Sequence, residues 1–273
     1  SLDIGASTQG SYAIVLDAQA PAYWDGWRPG VTFSVTRANR LGYYGQGNDS
    51  PYDPDSTEGH SYFYMVSRIN AGVRAQVQRR IAGPLRALVG GTFDHTDFRD
   101  LPGESIFNRD RTAGTISPEE DPFNDAVARV GLVLDSRDLE NDPHRGIYAE
   151  ALMNWGKGYS RTTGGVRAFV HPIERLIIAG RLGAESMSGS PPLSAQMLME
   201  SSEGPFVAMG GRRSLRGYHD SRYVGTGKLL GSKAFCKMLS ETKLLARVKA
   251  FVLIDLVGSK DWMGDCTHHA GLV

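Results

Sequence analysis

The sequence lacks any run of about 18 apolar residues, so it predicts no transmembrane helix. It carries no net formal charge, which gives no reason to expect a nucleic-acid partner. It also lacks a signal peptide, because Ser1 to Ile4 provides neither a basic start nor an apolar core. The other end, His268 to Val273, resembles the start of a strand. We therefore expect the natural chain to extend beyond both ends.

Motifs that carry chemistry are also scarce. The chain has no G-x-S-x-G elbow, phosphate-binding loop or H-E-x-x-H pair. Its two cysteines, Cys236 and Cys266, could pair or remain free thiols. Cys266 lies near His268 and His269, but three possible ligands without a companion cluster are more typical of a strand end than of a zinc site. The sequence therefore predicts no metal, no cofactor and no enzymatic activity.

What the sequence does contain is alternation with a period of two, the pattern of a β-strand. In Tyr62 to Arg80, one face is apolar and carries Ile69, Ala71, Val73, Ala75 and Val77. The opposite face carries Arg68, Asn70, Gly72, Arg74, Gln76 and Gln78. Cations on the less apolar face argue against a soluble sandwich, whose inner faces are apolar. They fit a membrane barrel with lipid outside and a polar lumen.

The same alternation recurs in Asp125 to Arg137, Gly146 to Lys157 and Lys243 to Val257. A tight turn at residues 82–84 contrasts with a long charged loop at residues 97–124, as the two rims of a barrel would show. We count about twelve or thirteen strands and no convincing amphipathic helix. The predicted fold is all-β, an antiparallel transmembrane β-barrel forming a single domain over residues 1–273.

Gly210 to Gly227, GGRRSLRGYHDSRYVGTG, is too rich in glycine and charge to be a strand, and we interpret it as a packed loop. Its core resembles the GG-x-x-S-(V/I/L)-R-G-(F/Y) loop of the BamA/TamA superfamily of bacterial outer-membrane barrels. The matching residues are Gly210, Gly211, Ser214, Leu215, Arg216, Gly217 and Tyr218. A second stretch, Asp135 to Asp138 followed by Asp142 to Gly146, is similar to the D-S-R-D/N…N-P-x-R-G segment of the same superfamily.

The resemblance implies a complete barrel of sixteen strands and a loop at 210–227 that folds into the lumen. It also implies that Arg216 contacts acidic residues of the inner wall, where Asp255 and Asp135 are the candidates and Arg137 lies on the same wall. The sequence departs from the superfamily at Lys233 and Ala234, where an acidic residue is common. Gly258 also falls one place late in the expected F-x-D-x-G strand.

The superfamily assists the insertion or translocation of other proteins at the outer membrane, and this is the function that the resemblance implies. The implied partners are outer-membrane lipid and unfolded outer-membrane or secreted proteins, with partner subunits or an oligomer also open. Two alternatives remain open from the sequence. The chain could be a pore or structural barrel without assembly activity, or the membrane anchor of an upstream enzyme or partner domain.

Overall fold

We describe the chain from a computed structural model. Residues 233–237, 250–258 and 268–272 are described by their backbone alone. Side chains are described as well for residues 1–20, 26–47, 50, 52–116, 122–173, 176–204, 209–211, 214–215 and 217–232.

These residues form one antiparallel sheet of twelve strands, and each strand pairs with its neighbours in the sequence. The strands are β1 (Leu2–Ala6), β2 (Tyr12–Gln19), β3 (Trp27–Gly42), β4 (Met65–Ala82), β5 (Leu85–Arg99), β6 (Phe123–Asp135), β7 (Gly146–Gly156), β8 (Tyr159–Ile173), β9 (Leu176–Gly189), β10 (Gly227–Lys237), β11 (Ala250–Gly258) and β12 (His268–Leu272). Two short helices, α1 (Ile106–Thr112) and α2 (Leu193–Gln196), and a 3-10 turn at Pro54–Thr57 lie in the connections. Within the part of the chain described, no helix combines the length and the apolar character needed to cross a membrane.

The two faces of the sheet differ as the alternation predicts. On β6, Val130 and Leu132 are exposed, whereas Arg129 and Val133, which flank them, are buried. The exposed face carries a wide apolar band that includes Ile14, Leu16, Phe33, Val35, Val89, Phe93, Val130, Leu132, Ile147, Met153, Trp155, Val166 and Leu182. The opposite, inner face carries buried polar and charged side chains. This arrangement confirms the fold predicted from the sequence, a transmembrane β-barrel with its polar face inside.

The connections segregate by length in part. The β4–β5 and β8–β9 connections, of two residues each, lie at one rim (the rim of short turns) with the β2–β3 and β6–β7 connections. The longest connections, β3–β4, β5–β6 and β9–β10, lie at the opposite rim (the rim of long loops), which also carries the two-residue β7–β8 turn. There Tyr43, Phe98, Phe107, Leu193 and Val224 pack in one buried apolar cluster. The long loops therefore have a common core of their own.

The sequence prediction is incomplete in the loop expected at 97–124. β5 continues to Arg99, and α1 occupies seven residues of the loop. Ser105 caps the helix by accepting a hydrogen bond from the Asn108 backbone N–H at 3.2 Å, and Phe107 is buried beneath it. So short a helix offers barely two turns of periodicity, and the pattern cannot be distinguished from a loop.

The assignment of the two faces of the sheet can be tested with two substitutions on β3, one on each face. Phe33 points outward and is 50% exposed, whereas the adjacent Ser34 lines an interior cavity beside Asp94. We expect Phe33→Arg to destabilise the barrel by about 2–4 kcal/mol, because it places a charge at bilayer depth. Ser34→Arg should cost much less, since its side chain enters a polar interior cavity and not lipid. Urea unfolding in lipid vesicles measures both, and equal costs would contradict the assignment of the faces.

Candidate functional site

The connection between β9 and β10 does not stay at the rim. After α2, residues 197–204 (here called the inner segment) run along the inner face of the sheet, and Met199, Ser201 and Ser202 are buried. The sequence of this segment is Met-Leu-Met-Glu-Ser-Ser-Glu-Gly. It is followed by the glycine–arginine loop, Gly210–Gly227, which leads into β10.

Strand register builds a cationic row opposite the inner segment. Arg129 of β6 pairs with Asn154 of β7, which pairs with Arg161 of β8. Alternation turns all three side chains inward, and each is at least 95% buried. Arg129 Nε donates to Asn154 Oδ1 at 2.7 Å, which fixes the guanidinium in the wall.

Glu200 of the inner segment neutralises this row. Its Oε1 lies 2.8 Å from Arg74 Nη2 and 3.0 Å from Arg129 Nη2, and its Oε2 lies 3.3 Å from Arg161 Nη1. Three guanidinium groups from β4, β6 and β8 thus converge on one carboxylate, with side-chain exposures of 15%, 2% and 6%. Ion pairs of such low exposure are little screened, and removal of one partner leaves buried charge uncompensated.

Glu203 makes the second charged contact, nearer the rim of short turns. Its carboxylate pairs with Arg137 and, at 2.6 Å, with Arg167. Arg137 also holds Asp135, with Nε–Oδ1 and Nη2–Oδ2 distances of 2.8 and 3.0 Å. Two wall residues named from the sequence, Asp135 and Arg137, are therefore close together, and Arg137 contacts the β9–β10 connection through Glu203.

The adjoining β6–β7 turn is fastened to β3. Both terminal nitrogens of Arg28 donate to Glu140, at 2.6 and 2.7 Å. This hydrogen-bonded fork, opposed by desolvation, lowers the pKa of Glu140. The Glu140 carboxylate is therefore ionised at neutral pH, and it holds the turn against β3.

The wall also binds the backbone of the inner segment. Glu150 accepts from the Ser202 N–H at 2.9 Å, and Glu185 accepts from the Glu200 N–H at 2.8 Å. Gln76 Nε2 donates to the Ser202 carbonyl at 2.7 Å, and Lys228 Nζ donates to the Leu198 carbonyl at 2.7 Å. Strand register again explains the placement, because Glu185 of β9 lies directly opposite Lys228 of β10, and the two form an ion pair at 2.7 Å.

The glycine–arginine loop begins with a tight turn that requires glycine. Gly210 and Gly211 have φ values of 125° and 81°. A Cβ on Gly210 would overlap the His219 carbonyl oxygen, and one on Gly211 would overlap the Asp220 carboxylate. Ser214 Oγ closes the turn, because it accepts from the Gly210 N–H and donates to the Gly210 carbonyl, both at 2.8 Å. The two glycines and the serine of the motif are thus explained by local geometry.

The next residue of the motif anchors the loop to the sheet. Leu215 is fully buried against Met199, Met209 and Leu230, with Tyr218 and Tyr223 packed beside it. Arg181 of β9 donates to the Ser214 carbonyl at 2.9 Å. Gly217 follows with a φ of 94° and no atom near its Cβ position. Arg216 and the Asp255 side chain lie outside the described residues, so their predicted pairing stays a prediction.

The far end of the loop is held by aromatic and cationic contacts at the rim of long loops. His219 lies 5.7 Å from Tyr44 and 4.8 Å from Tyr52, ring centre to ring centre. Arg222 donates to Ser50 Oγ at 2.9 Å and lies over the Tyr44 ring at 5.3 Å. These contacts join the β9–β10 connection to the β3–β4 connection.

Sequence reasoning did not assign a role to the inner segment. The sequence of residues 186–202 is rich in methionine and predicts only a loop, without any chemistry, whereas β9 in fact continues to Gly189. The available indication was a pair of acids, Glu200 and Glu203, in a chain whose predicted inner faces carry a surplus of arginine. Within the side chains described, no three His, Cys, Asp or Glu residues converge as metal ligands would; Cys236, Cys266, His268 and His269 lie outside that set.

No protein-family model matches the sequence, and no curated protein matches it. Among solved structures, the chain is similar to the crystal structure of BamA from Haemophilus ducreyi lacking POTRA domains 1–3, with a TM-score of 0.58 and 13% identity over 92% of this chain. The chain spans 50% of that BamA chain. LpxR from Salmonella typhimurium is matched at a TM-score of 0.42 and 11% identity, over 95% of this chain and 86% of LpxR. The likeness to the BamA structure shows that this chain has the fold of an outer-membrane β-barrel.

Proposed function

We propose that the chain is an outer-membrane barrel of the protein insertion or translocation type, from a Gram-negative bacterium. Its exposed apolar band would contact outer-membrane lipid, and unfolded outer-membrane or secreted proteins would be its clients. The proposal goes beyond the fold to the BamA/TamA superfamily itself, on the basis of the motif at Gly210–Tyr218 and the stretch at Asp135–Gly146.

One observation carries the proposal: a long connection between two strands lies against the inner wall and is fastened there. The inner segment is held through Glu200 and Glu203, and Leu215 anchors the adjoining loop beside β9 and β10. We infer that the Leu215 end of Gly210–Gly227 folds into the lumen, while His219 and Arg222 hold its far end at the rim of long loops. A loop fastened inside the lumen is also what the resemblance to the BamA/TamA superfamily implies.

The experiment is assisted folding. The barrel is reconstituted into lipid vesicles, and an urea-unfolded eight-stranded outer-membrane barrel is added as the probe client. Folded client is followed by its shifted mobility on gels without heating. We expect the client to fold several-fold faster than in vesicles that contain an unrelated folded barrel, because an insertion barrel lowers the barrier to entry. Equal rates in the two preparations would contradict the proposal.

The pore alternative is tested separately by conductance across planar bilayers. The inner segment and the loop occupy the lumen beside β4 and β6–β10, so we expect little steady current. Glu104→Gln, in an exposed ion pair with Arg109, is not expected to change it. A large and stable conductance of the unmodified chain would favour the pore barrel instead.

A further inference from the structure

The wall that receives the inner segment is strongly cationic without it. Some charged wall residues contact the inner segment directly, and others form ion pairs with those residues. Together they are six cations and three anions: Arg74, Arg129, Arg137, Arg161, Arg167 and Lys228 against Asp135, Glu150 and Glu185. Glu200 and Glu203 therefore supply most of the missing negative charge. Any movement of the segment away from the wall would require another acidic group to take its place, since buried cations without counter-charges are costly.

The same wall recognises a polypeptide and not merely an anion. Glu150 and Glu185 accept backbone N–H groups, while Gln76, Lys228 and Arg161 donate to backbone carbonyls, the last to Ala195 at 2.6 Å. Backbone contacts of this kind are independent of sequence, whereas the two arginine clusters select carboxylates. The spacing of the carboxylates, at positions i and i+3 of the segment, matches the separation of the clusters along the wall.

We propose that this wall is a binding site for acidic segments of a client polypeptide, and that the inner segment occupies it in cis as an internal mimic. The inference rests on the proposed function, because it names the class of client sequence that the barrel would take into its lumen. The preferred client carries two carboxylates three residues apart, separated by small residues that fit against Glu150.

The structure also provides space next to the site. A cavity of about 270 Å³ lies at the rim of short turns and is lined by Ser202 and Glu203 of the inner segment together with Arg28, Arg86 and Tyr148. The end of the inner segment therefore borders open volume, and an incoming chain would meet Glu203 and its arginines before Glu200.

The test uses a fluorescein-labelled peptide with the sequence of residues 197–204, and a matched peptide in which both Glu are replaced by Gln. Each is titrated against the full chain in detergent micelles and followed by fluorescence anisotropy. The barrels compared are the unmodified one, Glu203→Gln, and Glu200→Gln/Glu203→Gln. Weakening the internal occupant should expose the site, so we expect the double variant to bind the acidic peptide at least about tenfold more tightly than the unmodified barrel does.

Two comparisons make the result specific. The Gln peptide should bind the double variant at least about tenfold more weakly than the acidic peptide, since loss of a charged hydrogen bond is at least a tenfold effect. Adding Arg167→Gln to the Glu203→Gln barrel should remove much of this preference. Equal binding of the two peptides to the variants would overturn the inference, even if assisted folding is observed.

Glu203→Gln alone keeps the test valid if the double variant, Glu200→Gln/Glu203→Gln, fails to fold. Glu203 is one-third exposed, so Glu203→Gln leaves the Glu200 cluster intact and should retain the fold, as judged by gel mobility without heating. It is expected to bind the acidic peptide more tightly than the unmodified barrel. Acid-selective binding without any assisted folding would support this site and refute the proposed function, so the two can fail independently.

Discussion

Glu200→Gln is expected to lower the free energy of unfolding by about 3–5 kcal/mol, the usual cost of removing one partner from a buried ion pair. The substitution preserves the shape of the side chain, removes its charge and replaces one acceptor oxygen with an NH2 donor. Arg74, Arg129 and Arg161 would then face one another without the carboxylate that lies 2.8–3.3 Å from their nitrogens. Urea unfolding in lipid vesicles, followed by tryptophan fluorescence, measures the change.

The matched control is Glu104→Gln. Glu104 also pairs with an arginine, Arg109, at 2.6 Å, but both side chains are about half exposed. Exposed pairs are screened by solvent and contribute little to stability, so this variant should unfold almost as the unmodified barrel does. If the two glutamates cost the same, Glu200 does not lie among buried arginines as the structure places it.

Gly210→Ala is the second substitution with a large expected effect. The φ of 125° is unfavourable for any residue with a side chain, and the added Cβ would overlap the His219 carbonyl and lie 2.9 Å from the Arg222 backbone nitrogen. Both neighbours are backbone atoms and cannot rotate away. We expect a loss of at least about 2 kcal/mol and a glycine–arginine loop that trypsin cleaves many times faster.

Gly217→Ala provides the comparison, because it separates backbone strain from steric overlap. Gly217 also has a positive φ, 94°, but no atom lies within 4 Å of its Cβ position. It should cost only about 1–2 kcal/mol, the conformational penalty alone, and leave the loop protected. Cleavage as rapid in Gly217→Ala as in Gly210→Ala would show that the docked turn does not depend on the contact with His219.

The fold could be predicted because every barrel strand shows the same alternation of apolar and polar residues in its own sequence. Lipid on one side and a polar lumen on the other force alternation, and Asp125 to Arg137 expresses it without reference to any other strand. The rims were predictable for a similar reason, since Gly83 and Pro84 between two alternating segments favour a tight turn. Short irregular elements such as α1 carry too few residues to show a period, and they were missed.

The candidate site was only partly predictable. Alternation places Arg74 on the inner face, but it cannot indicate that Arg74 pairs with Glu200, 126 residues away. That contact depends on the path of an irregular connection, for which no periodic pattern exists. The motif at Gly210–Tyr218 identified the connection, and its glycines and serine have clear local roles. The acidic inner segment before it has no such motif, and only the structure shows where its carboxylates lie.

The central claim is that the inner segment lies against the wall in the folded barrel, and a double-mutant cycle on Glu200 and Arg129 tests it most directly. The unfolding free energies of Glu200→Gln, Arg129→Gln and the double variant are compared with that of the unmodified chain. If the 3.0 Å contact exists, the double variant should be more stable than the sum of the single changes predicts, by about 1–3 kcal/mol. Additivity within about 0.5 kcal/mol would mean that the two residues are not in contact, and would contradict the account.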